Sequence, residues 1–463
     1  MTGESFTGKR IAVVGLGISN LALARYLAHR GADLTLCDQK SLEEMGDRKP
    51  AILQLAEMGA RLRLGSRYLE GLWEFEEAYL TPGMKKYLPE IERARASGTK
   101  ISTEAQLFLS LVKAKTIGVT GSAGKTTTST LIGDVLSKSG RNTYVGGNIG
   151  QPLIEVVDDI PENAYVVLEL SSFQLELMEK SPNTALVLNV TLDHMDVHRN
   201  RAEYVAAKTR IFSFQKEGDL AIFNGDDTTT AAMALEARAR VALFSRRREV
   251  SGDGAFLRGS SAIVRLGGVE REVFDVGRLL IPGPHNVENA LAASICLIDA
   301  GIKPAYIAEV LSEFRGVEHR IEFVRELEGV RYYNDSIATT PDRTAAALYT
   351  LAQPIVLIAG GSDKNLPYDR LGEVIVKRVH TLITMGHTAE KIEEAVRRAL
   401  SSGEGKEQIS IRRSRDLGEA VTLARRLAPP GASVVLSPAS ASFDAFSNYK
   451  ERGKLFKRLV LEL

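Results

Sequence analysis

Short apolar runs alternate with amphipathic segments along nearly the whole chain. This alternation predicts α/β architecture built on mainly parallel sheets. Arg10-Ile-Ala-Val-Val-Gly15 reads as a buried strand, followed by a helix capped by Ser19. Asp33-Leu-Thr-Leu-Cys37 is a second strand, ending at Asp38, and Ala78-Tyr-Leu-Thr81 a third that runs into the Pro82-Gly83 turn. Near residue 104 the pattern restarts. Residues 115–120 read as a strand, then comes a Gly-rich turn, then a helix from Lys125, with further strands at 165–170, 185–190 and 219–223. The segment 261–276 alternates around Gly267-Gly268 and predicts an antiparallel hairpin. A third unit opens near Val317, with strands at 330–333, 355–359, 381–385, 409–411 and 433–436 separated by helical segments, a small doubly wound domain. No short-period repeat or low-complexity stretch interrupts the pattern.

Length agrees with this division, since 463 residues at about 150 per domain make three domains. We set them at 1–103, 104–316 and 317–463. Lys+Arg 59 against Asp+Glu 58 leaves a net charge of +1, which argues against a general nucleic-acid binder but leaves room for a local basic pocket. Two cysteines, Cys37 and Cys296, exclude a disulfide framework and a thiolate metal cluster. The apolar runs are far shorter than a membrane span, and MTGESFTGKR lacks the apolar core of a signal peptide. These features predict a cytoplasmic chain with no membrane insertion.

Two glycine-rich turns carry candidate chemistry. Gly15-Leu-Gly17-Ile-Ser-Asn20 joins a strand to a helix, and Asp38 follows about twenty residues on, close to a dinucleotide fingerprint except that Asn20 replaces its third glycine. The motif fits a nucleotide or nucleotide-sugar site, and equally a ligand-free βα turn; NAD chemistry rests on this incomplete motif alone. Gly118-Val-Thr-Gly121-Ser122-Ala123-Gly124-Lys125-Thr126-Thr127 is more specific. Gly121 and Gly124 let main-chain N–H groups face phosphate oxygens, Lys125 reaches terminal phosphates, and the Thr126 hydroxyl suits Mg²⁺. The loop is a variant, because Val119 stands where the strict pattern has glycine. Glu169, inside an apolar strand, would be costly unless a hard cation accepted its charge. Asp193-His194-Met195-Asp196 ends the next strand, so His194 is a metal ligand sooner than a base. Lys208, on a helical pattern, reads by itself as a surface lysine.

The phosphate loop, Glu169, Asp193-His194 and Pro284-His285-Asn286-Val-Glu-Asn289 together resemble the Mur ligase family, over essentially the whole chain and in family order. Gly-Leu-Gly-Ile-Ser, Thr81-Pro-Gly83 and Leu436-Ser-Pro-Ala-Ser-Ala-Ser-Phe-Asp444 are most similar to members that add D-glutamate. The resemblance implies a Rossmann-like N-terminal domain, a central P-loop-type ATPase domain and a Rossmann-like C-terminal domain. The implied activity is ATP-dependent addition of D-glutamate to UDP-N-acetylmuramoyl-L-alanine through an acyl phosphate, in peptidoglycan precursor synthesis, by a monomer. Related readings are a family member adding L-glutamate or another amino acid, a folylpolyglutamate synthetase-like ligase, and a nucleotide-gated protein that hydrolyses ATP without ligation.

By the same resemblance Gly17, Ser19, Asp38, Thr81 and Gly83 bind the UDP moiety, and Asn148 contacts the muramoyl group. Residues 121–127, Asn289, Arg320 and Asp335 bind ATP. Thr126, Glu169, His194 and Lys208, the last as a CO₂-derived carbamate, hold a pair of Mg²⁺ ions. Lys125, Lys208 and His194 are the implied catalytic set, and Thr339, Lys364, Ser442, Phe443 and Tyr449 bind the glutamate. Residues spread over three domains imply closure on ATP binding. Two positions depart from the family: Ser122-Ala123 stands where Thr-Asn is usual, and Ile337 where a lysine is common. The first removes an amide near the phosphates. The second removes a cation from the amino-acid side and leaves the chirality of the incoming glutamate open.

Overall fold

The computed structural model describes residues 5–191, 200–364, 366–402 and 409–463. They form two compact units, Met1–Val276 with Val287–Val310, and Gly277–Asn286 with Leu311–Leu463. The first unit carries two sheets and the second carries one.

The first sheet has five strands, in spatial order Arg61–Leu64, Asp33–Asp38, Arg10–Val14, Glu77–Leu80 and Lys100–Ser102. All its pairings are parallel. The chain winds outward from Arg10–Val14 in one direction and then restarts beside it with Glu77–Leu80. The carboxyl ends of these two strands therefore flank a topological switch point, where open α/β sheets leave a crevice. Arg61–Leu64 and Lys100–Ser102 did not stand out in the sequence. Both are short edge strands, Arg-Leu-Arg-Leu with every residue at least partly exposed and Lys-Ile-Ser of three residues, so no continuous apolar run marks them. The helix Ile18–His29 begins one residue before Ser19, and its N-cap is Gly17 with no side-chain cap bond; the expected capping by Ser19 is corrected.

The central sheet has nine strands. Lys115–Thr120 lies between Tyr165–Glu169 and Thr184–Val187, all parallel. Thr143–Gly147 forms one edge, and the expected hairpin pairs Ser261–Leu266 with Val269–Asp275 at the other. The Ile18–His29 helix packs on the turn Leu153–Val156, and one continuous buried cluster runs from Leu23 and Leu27 to Ile154 and Val157. The first and central sheets thus share apolar core. Arg25 adds a two-pronged ion pair with Glu155 (2.7 and 3.0 Å) across the same junction.

The third sheet has six strands, in order Glu322–Leu327, Val330–Asn334, Ser433–Leu436, Ile355–Gly360, Val379–Met385 and Ser410–Arg413. Only Glu322–Leu327 pairs antiparallel. Among the described residues no helix is long and apolar enough to cross a membrane.

Candidate active site

The switch-point crevice brings together the first group of expected residues. Gly15 has φ +82°, and a Cβ there would lie 2.5 Å from the Thr81 methyl, so only glycine lets the two walls meet. Asp38 is buried; one carboxylate oxygen accepts the Leu16 N–H at 2.7 Å and the other the Lys40 N–H at 3.0 Å. Its carboxylate thus fixes the glycine turn from behind. Asn20, the apparent defect in the fingerprint, has a job of its own. Its amide nitrogen donates to the Val14 and Gly15 carbonyls, each at 2.9 Å, which a third glycine could not do. Ser19 is half-buried and Gly83 exposed at the rim.

The second group surrounds the loop after Lys115–Thr120. Val119 is still inside the strand, paired with Glu169 and Leu186, so the glycine of the strict pattern is not needed there. The turn itself starts at Gly121 (φ +159°). Gly124 (φ +85°) caps the helix Lys125–Lys138, and a Cβ on it would lie 2.3 Å from Asn289 Oδ1. That contact places Asn289 against the loop. Lys125 Nζ folds over the turn and donates to the carbonyls of Gly121 (2.8 Å) and Ser122 (3.1 Å). Thr126 is buried at the start of the helix, where N–H groups and dipole favour anions, and Thr127 is half-buried beside it.

Asn189, which carried no motif signal, clasps the main chain of the loop at Ala123. Its Oδ1 accepts the Ala123 N–H at 2.8 Å, and its Nδ2 donates to the Ala123 carbonyl at 3.1 Å. Ser122 Oγ lies 2.8 Å from the Tyr204 hydroxyl. Tyr204 sits on the helix Arg201–Ser213, which also carries Lys208. Lys208 is no surface lysine. It is 1% exposed, with Nζ donating to the Gly121 carbonyl at 3.0 Å and lying 4.7 Å from the Tyr204 ring centre.

Glu169 is 2% exposed at the end of its strand. Oε1 accepts from Asn148 Nδ2 at 3.0 Å, while Oε2 is buried with no hydrogen-bond partner among the described residues. A buried carboxylate oxygen left unpaired costs more than an ordinary hydrogen bond returns, and a cation beside it removes that cost. The residues present therefore fit a divalent ion. Among the described residues no three His, Cys, Asp or Glu side chains gather into a metal-holding group. Asp193, His194 and Asp196 lie outside the described residues.

The third group lies in the second compact unit. His319 (φ +66°) and Ile321 (φ +44°) are both left-handed, and a β-branched residue there is strained, so the turn presenting Arg320 is held by its surroundings. One tether is Asp335, whose Oδ1 accepts the Ile321 N–H at 3.2 Å and whose Oδ2 accepts from Ser437 Oγ at 2.7 Å. Burial pushes the Asp335 carboxyl up to about 7, against the smaller opposing pull of these hydrogen bonds and of Arg320 and Arg343. Lys364 Nζ donates to Thr339 Oγ1 at 3.3 Å. Ser362 N–H donates to the Ala441 carbonyl at 3.0 Å, which joins the Lys364 segment to that of Ser442 and Phe443. Ser442 is buried, Phe443 is 73% exposed, and Tyr449 starts the helix Tyr449–Leu461.

Arg452 belongs to no sequence motif. Its buried guanidinium donates to Ser336 Oγ and to the carbonyls of Ser336, Ser440 and Ala441, tying the Asp335 and Ser442 segments together. Ile337 is half-buried, and its N–H donates to the His319 carbonyl at 3.1 Å.

Three family models match successive stretches of the chain. Residues 9–103 match the N-terminal domain described as Mur ligase MurD-like, 119–297 the Mur ligase middle domain, and 319–440 the Mur ligase glutamate ligase domain. A UDP-N-acetylmuramoylalanine--D-glutamate ligase of Symbiobacterium thermophilum is 54% identical, covering 98% of both chains. The enzyme of the same name from Acetivibrio thermocellus is 45% identical over 99% of this chain and 97% of its own. Among solved structures, MurF from Acinetobacter baumannii superposes with a TM-score of 0.57 at 18% identity, covering 97% of this chain and 93% of that one. The UDP-N-acetylmuramate-alanine ligase MurC of Thermotoga maritima gives 0.54 at 19% identity, covering 98% and 99%. These two likenesses show a shared fold, and the sequence matches span all three sheets: the chain belongs to the Mur ligase family.

Proposed function

We propose that this chain is an ATP-dependent ligase that adds D-glutamate to UDP-N-acetylmuramoyl-L-alanine, acting as a cytoplasmic monomer in peptidoglycan precursor synthesis. The observation that carries the reading is the pairing of a glycine-built phosphate loop with the unpartnered buried oxygen of Glu169 on the adjacent strand. That arrangement suits phosphoryl transfer better than simple nucleotide storage.

In this reading the uridine end of the substrate lies in the switch-point crevice, with Gly17, Ser19, Asp38, Thr81 and Gly83 around it. Asn148, already bonded to Glu169, turns the muramoyl end toward the loop. The L-alanyl carboxylate attacks the γ-phosphorus of ATP, a P–O bond forms, and ADP departs with the electron pair of the broken bond. The glutamate amine then attacks the acyl carbon, loses a proton, and inorganic phosphate leaves. Lys125 and the loop N–H groups hold the transferred phosphoryl oxygens. Asn289, Arg320 and Asp335 serve the nucleotide, and Lys364, Thr339, Ser442, Phe443 and Tyr449 the incoming amino acid.

Thr126, Glu169, His194 and a carbamate on Lys208 would hold a pair of Mg²⁺ ions, which supply charge neutralisation on the phosphates when bound. A carbamate would turn Lys208 from a cation into an anionic oxygen donor, its remaining N–H still able to donate to the Gly121 carbonyl. Asp38 gives both oxygens to backbone N–H groups, which favours a structural part for it over the ribose contact of an NAD enzyme.

Phosphate release tests the reading, with ATP, Mg²⁺ and UDP-N-acetylmuramoyl-L-alanine and either D-glutamate, L-glutamate, L-lysine or no amine. Release that depends on D-glutamate is expected. Release indifferent to the amine would mean hydrolysis without ligation, and a preference for L-glutamate would reassign the substrate. In the same assay Lys208→Ala should lose about 10²-fold in kcat, as for other charge-stabilising groups. Short carboxylic acids should restore part of it, and an unaffected variant would remove the carbamate.

A further inference from the structure

The wall of the switch-point crevice formed by residues 81–84 has an unusual support. Thr81 N–H donates to the Val14 carbonyl at 2.8 Å and Met84 N–H to the Thr81 carbonyl at 3.2 Å, which closes a tight turn. Met84 packs, partly buried, against the apolar cluster of Leu72, Leu80 and Ile91, so the turn is anchored at its far end. Gly83 is exposed, and a Cβ there would meet open space. The carbonyls on either side of Gly83 are held by Lys86. It is 4% exposed, and its ammonium donates to the Pro82 carbonyl and, at 2.8 Å, to the Met84 carbonyl.

The same ammonium lies 3.6 Å from Glu176 Oε2, on the central domain. Glu176 follows the helix Ser172–Leu175, whose capping box of Ser171 and Gln174 fixes it directly after the strand Tyr165–Glu169. Burying an ammonium is costly unless its donors are all used, and here they are spent on one turn and one carboxylate of the neighbouring domain.

We propose that Lys86 is a positioning residue for the uridine-nucleotide end of the substrate: it gathers the 81–84 turn and braces it against Glu176. The proposal rests on the uridine site assigned above. A substrate gripped at one end in the crevice must present its far carboxylate at the phosphate loop, so the separation of the two ends must match the molecule. The Lys86–Glu176 contact links the crevice wall to the segment that carries Glu169. Loss of the contact loosens the wall while leaving the phosphate loop and the second compact unit untouched.

The test measures affinity for UDP-N-acetylmuramoyl-L-alanine by calorimetry without ATP, and steady-state KM values for all three substrates, on the full-length chain. Lys86→Met should weaken substrate binding and raise its KM about tenfold, the loss of roughly one charged hydrogen-bond set. The KM values for ATP and D-glutamate should stay within about twofold. Lys86→Arg should recover part of the loss, and Glu176→Gln should show a smaller rise than Lys86→Met. Arg25→Met removes a different ion pair at the same junction and should leave all three KM values unchanged. A lowered melting temperature with unaltered substrate affinity would overturn the proposal, as would a parallel rise in every KM. If the unaltered chain fails to bind the uridine substrate, the site assignment itself falls, whereas normal binding unchanged by Lys86→Met defeats the positioning role alone.

Discussion

At the scale of single residues, burial decides what each group can do. Lys208 and Lys125 are the same residue type about one phosphate loop apart, yet one is sealed under the loop and the other folds over it. Sequence spacing marked Lys125 because the loop pattern fixes its place; nothing in the helix 201–213 marks Lys208 as buried. Asp335 shows the same dependence on surroundings, and it carries a pH signature. Its carboxyl ionises near 3.8 when unfolded, but burial holds it protonated in the folded chain until about pH 7. Between these values the folded state binds more protons, so stability falls as pH rises through the window and levels off above it. Asp335→Asn removes this slope. Urea unfolding of both proteins from pH 4 to pH 7 should therefore show the variant gaining on the parent as pH rises. A constant difference would mean that the carboxyl is ionised throughout.

At the scale of elements, the two glycine turns reach similar ends by different means. The phosphate loop depends on backbone that only glycine adopts easily and on the close approach of Asn289. Gly124→Ala puts a methyl group into Asn289 Oδ1 at a left-handed position. We expect it to raise the KM for ATP by about tenfold or more, from strain of roughly 1–3 kcal/mol, with the uridine substrate's affinity unchanged. Equal losses for both substrates, measured by calorimetry, would contradict a local effect. The first-domain turn also needs its glycine at Gly15, and side chains secure the rest: Asn20 from the following helix and Asp38 from the neighbouring strand bind its main chain. This explains why its sequence departs from the dinucleotide pattern without loss of form.

At the scale of the whole molecule, the candidate residues fall into three sets, two in the first compact unit and one in the second. The crevice and the phosphate loop lie at the carboxyl ends of separate sheets that share apolar core. Binding to either should stabilise the folded chain by mass action, about 2.7 kcal/mol at a hundredfold excess over Kd. In thermal melts the shifts from ATP with Mg²⁺ and from UDP-N-acetylmuramoyl-L-alanine should each appear alone. Lys125→Met should abolish the first and keep the second. Loss of both would mean that one site serves both ligands.

The amino-acid sequence by itself determined the α/β class, the strands that flank the two glycine turns, the phosphate loop and the family, but not Arg240–Ser245 and Gly254–Arg258 inside the central sheet. Long apolar runs and glycines at fixed offsets are local signals, and the chemistry of a phosphate loop resides in a few contiguous residues. It did not disclose the polar edge strands, which lack an apolar run, nor the start of the first helix at Ile18. Only the tertiary structure decided that Asn189 clasps the Ala123 backbone, that Lys208 is buried, and that Arg452 ties together the segments following two strands of the third sheet. It alone paired Lys86 with Glu176, 90 positions apart in the sequence. The physical reason is common to all four: burial and hydrogen-bond partnership are set by which strands lie side by side, and no spacing along one segment contains that information.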